Sequence, residues 1–135
     1  MRLATRTILA PTATLCLLAL VSACGGDDAK AQRRSFSVPA ARKEANDLYQ
    51  SLCSTCHGPS GRGDGPGAAA CDPKPRTFLD VAWQSSVTDE HIVKTVTFGG
   101  AAVGKSPQMP AQPQLKGKTE VLQHLVAIVR GFAAQ

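Results

Sequence analysis

Five consecutive residues, Cys53-Ser54-Thr55-Cys56-His57, constrain this chain more than any other stretch. C-x-x-C-H is the attachment pattern of c-type haem. Two thiols at this spacing can each add to one vinyl group of the same porphyrin. The residue that follows, His57, then lies under the iron and offers it an imidazole nitrogen. Haem iron attached in this way can take a Met sulfur as its other axial ligand, so the sequence should hold one well-placed Met further on. Met109, in Ser106-Pro107-Gln108-Met109-Pro110, is the only Met besides Met1. A bare C-x-x-C also serves as a redox dithiol or as half of a zinc site. Zinc would need a second ligand pair, but Cys71 stands alone and His91 and His124 are far apart. A redox dithiol would need a βαβ pattern around it, and none is present.

The N-terminal region has a different character. Arg2 and Arg6 precede an apolar stretch from Ile8 to Val21 that Pro11 and several Thr residues interrupt. That reads as a secretory signal over residues 1–23, too short and too broken to be a membrane span. Val21-Ser22-Ala23-Cys24 also has the pattern of a bacterial lipobox, which makes Cys24 the lipidation site and membrane anchor of the mature chain. Ordinary signal peptidase cleavage after Ala23 or Ala31 is the competing reading. Residues 24–38 form a flexible tether without apolar periodicity, and residues 39–135 form the domain. Export places the thiols in an oxidising compartment. Haem attachment uses Cys53 and Cys56, leaving Cys71 as a small buried hydrophobe. The full chain carries 15 basic and 10 acidic residues. Loss of Arg2 and Arg6 brings the net charge near +3, too mild to argue for nucleic acid.

Within the domain, Ala41, Ala45, Leu48 and Leu52 recur at helical spacing after Pro39, with Tyr49 flanking, and lead directly into Cys53. Gly58 to Gly67 is too glycine-rich for regular structure and reads as backbone passing close to a flat ligand. Cys71 to Phe78 is an extended, proline-fixed segment, and a short helical turn over Asp80 to Gln84 carries Trp83, the only Trp. Thr88 is an N-cap with Asp89 and Glu90 in the first turn. The β-branched run over residues 92–98 would also suit a strand, but the cap favours a helix that ends at Gly99-Gly100. Residues 99–106 match G-x-x-x-x-G-K-[ST], yet Pro107 and Pro110 forbid the helix a phosphate loop requires, so no nucleotide is expected. Val121, Leu122, Leu125, Val126, Val129 and Phe132 mark a terminal helix from about Thr119 to Gly131.

With C-S-T-C-H-G, G-R-G-D-G-P, P-K-P-R-T-F, the Trp83 segment and S-P-Q-M-P in place, the chain resembles a class I-type bacterial mono-haem cytochrome c from about Ala40 to Phe132. The resemblance implies an all-α, small cytochrome c-like fold of three to five helices wrapped around one covalently attached haem. It implies that the first and last helices cross, and that the Pro66 carbonyl accepts the Nδ1–H of His57. It makes Arg76 and Trp83 candidates to face the haem propionates.

The function expected is one-electron transfer, as an exported periplasmic carrier or tethered subunit rather than an enzyme. Its partners would be a redox donor and acceptor, with Lys74, Lys94, Lys105, Lys116 and Lys118 available to steer an acidic one. A haem-based gas sensor or small peroxidase-like enzyme is the alternative, and it requires Met109 to be off the iron or easily displaced. Mass spectrometry of the mature N-terminus checks the anchor: it is expected to find a diacylated Cys24, whereas an unmodified Cys24 or a start at Gln32 would exclude it.

Overall fold

The computed structural model describes residues 38–134. The expected signal over residues 1–23, the lipidation site Cys24 and all of the tether except Val38 lie outside the described residues. Among the described residues there are four α-helical stretches joined by 3-10 turns and loops, and no strand.

The first helix, α1, runs over residues 38–57. Pro39 sits in its first turn, where a missing N–H costs nothing. Its second half is not a plain α-helix. Tyr49–Cys53 form a π-helical turn, and Ser54–His57 return to α geometry. The hydroxyls of Ser51 and Ser54 donate to the Asp47 and Gln50 carbonyls at 2.7 and 2.6 Å. The wider turn inserts one residue into the helical phase, and this corrects the expected apolar stripe. Ala41, Ala45 and Tyr49 are buried, while Leu52 is 47% exposed. After the π turn the inward position passes to Cys53, which packs against the core.

The glycine-rich loop after His57 packs on protein rather than on the ligand cavity. A Cβ on Gly61 (φ +70°) would lie 2.7 Å from the Phe132 ring. A Cβ on Gly65 would collide with the Ser54 and Thr55 carbonyl oxygens. The expectation that this loop approaches a flat ligand is therefore replaced: its glycines let the chain fold back against the end of α1 and against Phe132.

Helix α2 spans Val81–Ser86, and the Asp80 side chain caps it by accepting from the Trp83 N–H at 3.1 Å. Helix α3 spans Asp89–Phe98, with the Thr88 hydroxyl accepting from the His91 N–H at 3.2 Å. The cap outweighs the β-branched composition of residues 92–98. Gly99, at φ +81°, ends the helix. Residues Gly100–Val103 form a 3-10 turn and Gly104 is left-handed, so no helix starts at Lys105 and the phosphate-loop match has no structural basis. Helix α4 spans Thr119–Gly131.

One core holds these pieces together. Ala41, Ala45 and Tyr49 of α1 join Phe78, Ile92, Leu115 and the buried face of α4. Tyr49 and Phe132 rings lie 5.4 Å apart, and Lys118 reaches Glu44 of α1 at 2.6 Å. The far end of α4 is fixed by Arg130. Its guanidinium donates to the Gln84 and Val87 carbonyls at 2.6 and 2.7 Å and to Asp89 at 2.7 Å. A charged fork spanning the α2–α3 corner in this way sets the direction in which α3 leaves it.

Gly61→Ala tests the packing of the glycine loop. A methyl group at a left-handed position against an immobile ring is expected to destabilise the holoprotein by about 2 kcal/mol or more, measured by urea unfolding.

Candidate haem site

The end of α1, from the close of the π turn onward, carries three of the four residues expected to hold the group. Cys53, Cys56 and His57 line a cavity of about 660 Å³, a volume in the range of cofactor sites. Met109 lines the same cavity from the loop between α3 and α4. A narrow inner recess is lined by both His57 and Met109, with Tyr49, Phe78 and Val96 around them. Arg76, Trp83 and Cys71 also line the larger cavity.

His57 is oriented by one hydrogen bond. Its Nδ1 lies 3.0 Å from the Arg76 carbonyl oxygen. A carbonyl can only accept, so Nδ1 carries the proton and Nε2 keeps its lone pair. Burial pushes the imidazole below its ordinary pKa, against a smaller upward pull from the Arg76 carbonyl. Burial outweighs the carbonyl and favours the neutral ring, whose other nitrogen is then available to a metal. The ring is further held by stacking on Phe78, 4.5 Å between centroids at 16°. Phe78 is fixed in turn by its N–H to the Gly61 carbonyl at 2.7 Å.

This geometry corrects the expected role of Pro66. Its carbonyl is not the partner of His57; the Arg76 carbonyl is. Pro66 is exposed and absent from the cavity wall. The physical reason is the fold-back of the glycine loop. The His57 carbonyl accepts from the Gly63 N–H at 2.8 Å, and a Cβ on Gly63 would lie 2.6 Å from the Pro75 carbonyl oxygen. The loop thus presses the Pro75-Arg76 backbone against the end of α1.

Arg76 and Trp83 stand together at the cavity. The guanidinium carbon lies 5.7 Å from the indole centroid, and Asp80 is 3.4 Å from the Arg76 guanidinium. Tyr49, beneath the recess, donates its hydroxyl to the Gly58 carbonyl at 2.8 Å. Burial is the main reason its pKa is pushed up to about 12, so the phenol stays a neutral donor.

Cys53, Cys56 and Cys71 form no disulfide with one another. Burial, followed by the neighbouring Cys56, raises the Cys53 pKa; burial, followed by Cys71, raises that of Cys56. Cys71 is half-buried on the cavity wall rather than in the core, and its thiol donates to the Gly67 carbonyl at 3.5 Å. Among the described residues no group of three or more His, Cys, Asp or Glu is placed to hold a metal ion, and no helix is long and apolar enough to cross a membrane.

Two thiols and an imidazole with a free nitrogen on the wall of one large cavity are what covalent attachment of haem requires, and Met109 lines the same cavity. The fold and this set define a class I-type mono-haem cytochrome c. Residues 40–128, well over half of the sequence, match the family described as cytochrome C oxidase, cbb3-type, subunit III, and the chain belongs to that family. No curated protein and no solved structure matches it. The cofactor is therefore covalently bound haem c, and the general role is haem-based electron transfer.

The covalent link has a direct check. Haem is expected to stay with the wild-type chain on a denaturing gel and to be lost when Cys53 and Cys56 are both replaced by Ala, as read by haem staining and by intact mass.

Proposed function

We propose that this protein is an exported one-electron carrier, or a membrane-tethered electron-transfer subunit, with His57 and Met109 as the two axial ligands of its haem. The observation that carries this reading is the inner recess, which both residues line. Haem c supplies one-electron chemistry, its iron alternating between ferric and ferrous states. The chain's own residues do the rest. Cys53 and Cys56 hold the group through two thioethers. His57 offers Nε2, with its tautomer set by the Arg76 carbonyl. Met109 offers a thioether sulfur, which favours the ferrous side. With both axial positions held by protein, no coordination place is left for a substrate, which speaks for transfer rather than for gas sensing or peroxide chemistry.

Arg76 and Trp83 are the residues we assign to the propionate side, on the strength of their shared position at the cavity. Leu52, exposed on the cavity wall, and Lys105, which lines the same cavity, offer an apolar and a cationic contact to a transient acidic partner. Of the other steering lysines, Lys118 is engaged by Glu44 and Lys74 by the Ala68 and Ala69 carbonyls. The family description names an oxidase subunit, which supports a fixed partner within a respiratory complex. The N-terminal signal and Cys24 support export and anchoring.

The test is spectroscopic. The ferric wild type is expected to show the weak near-infrared band of sulfur ligation, and the ferrous form to resist carbon monoxide. Met109→Ala is expected to abolish the band and to bind carbon monoxide readily. Ready binding by the wild type would favour the sensor or peroxidase reading.

A further inference from the structure

The loop that carries Met109 is fastened from within mostly by its own backbone. The Met109 N–H donates to the Ser106 carbonyl at 3.2 Å, and the Gly100 N–H donates to the Met109 carbonyl at 3.0 Å. These bonds shape the loop but do not fix it to the opposite side of the cavity.

Gln108 does. Its Oε1 accepts from the Asp72 N–H at 2.8 Å, and its Nε2 donates to the Ala70 carbonyl at 3.0 Å. The orientation of the amide is unambiguous, because a backbone N–H only donates and a carbonyl only accepts. The two partners flank Cys71, so one side-chain amide pairs with the chain on both sides of that residue. Ser106 presets the amide: its hydroxyl accepts from the Gln108 N–H at 3.2 Å and lies 3.4 Å from Oε1. Among the described residues, these two Gln108 bonds are the only hydrogen bonds joining residues 101–111 to the wall formed by residues 68–77. Cys71, Gln108 and Met109 all line the cavity, so the pairing joins two parts of its wall one residue before Met109.

We propose that Gln108 is a positioning residue that staples the Met109 loop to the Cys71 segment and thereby sets how firmly the Met109 sulfur is held on the iron. This rests on the axial role of Met109 proposed above. An external ligand can enter only when the sulfur leaves and its loop swings out. With the staple in place, that opening breaks two hydrogen bonds at a chain position adjacent to the sulfur. Without it, the loop opens against its internal backbone bonds alone.

The experiment measures imidazole binding to the ferric holoprotein as wild type, Gln108→Ala, Gln108→Glu, Met109→Ala and the Gln108→Ala/Met109→Ala double variant, alongside the near-infrared band. Gln108→Ala is expected to bind imidazole about tenfold more tightly than wild type, equivalent to about 1.4 kcal/mol, and to weaken the band. Gln108→Glu keeps the acceptor and loses the donor, and is expected to fall between the two. In the Met109→Ala background, where there is no sulfur to hold, Gln108→Ala is expected to change nothing. A general loss of stability would not produce that pattern. A wild type with the band and an unchanged Gln108→Ala affinity would overturn the staple alone. The same tenfold gain persisting without Met109 would also overturn it, since Gln108 would then act by covering the cavity. A wild type without the band would overturn the ligation reading and the staple with it.

Discussion

The hydrogen bond from His57 Nδ1 to the Arg76 carbonyl is the contact on which the site depends. It fixes the tautomer of the imidazole and aims its free nitrogen into the recess. It also joins the end of α1 to the extended Pro75-Arg76 segment, which brings Phe78 against the imidazole ring and the Arg76 and Trp83 side chains to the cavity. Behind this bond stands the fold-back of the glycine loop, with Gly63 N–H on the His57 carbonyl and Gly61 under Phe132. A run that regular structure could not use becomes the means by which two distant segments meet. The donor is a functional side chain; the acceptor is plain backbone held in place by packing.

Around that contact the aromatic residues form a connected series. His57 stacks on Phe78, Phe78 lies near both Trp83 and Phe132, and Phe132 lies near Tyr49. The series crosses from the imidazole on the cavity wall to the packing of α1 against α4, so the floor of the site and the main core are one body. Tyr49 contributes twice, through its ring to the core and through its hydroxyl to the Gly58 carbonyl just past the attachment motif. Rigid walls of this kind suit a group whose function needs little rearrangement between oxidation states.

Much of this was legible in the residues because it is written in side-chain identity. Thr88 announced α3 through its cap, and the apolar period of residues 121–132 marked α4 at the ends it has. The attachment motif and Met109 fell on the wall of one cavity although more than fifty residues apart in sequence. What was not legible involves the backbone. Any residue can offer a carbonyl, so nothing in the sequence distinguishes Arg76 from Pro66 as the partner of His57. The glycines signalled close approach but not to what, and the neighbour is protein. Gln108 carries no signal of its own, because its two partners, Ala70 and Asp72, lie far away in the chain and bond through their main-chain atoms.

The π-helical turn at Tyr49–Cys53 governs how the first helix divides its labour. Upstream of it, small alanines let α1 settle into the core; downstream, the thiols and the imidazole face the cavity. The extra residue in that turn carries the inward face from Tyr49 to Cys53 and leaves Leu52 outside. The number of residues between Ala45 and Cys53 is therefore part of the site. Between positions 45 and 53 a single-residue insertion or deletion would turn the attachment chemistry away from its pocket while barely changing helical propensity.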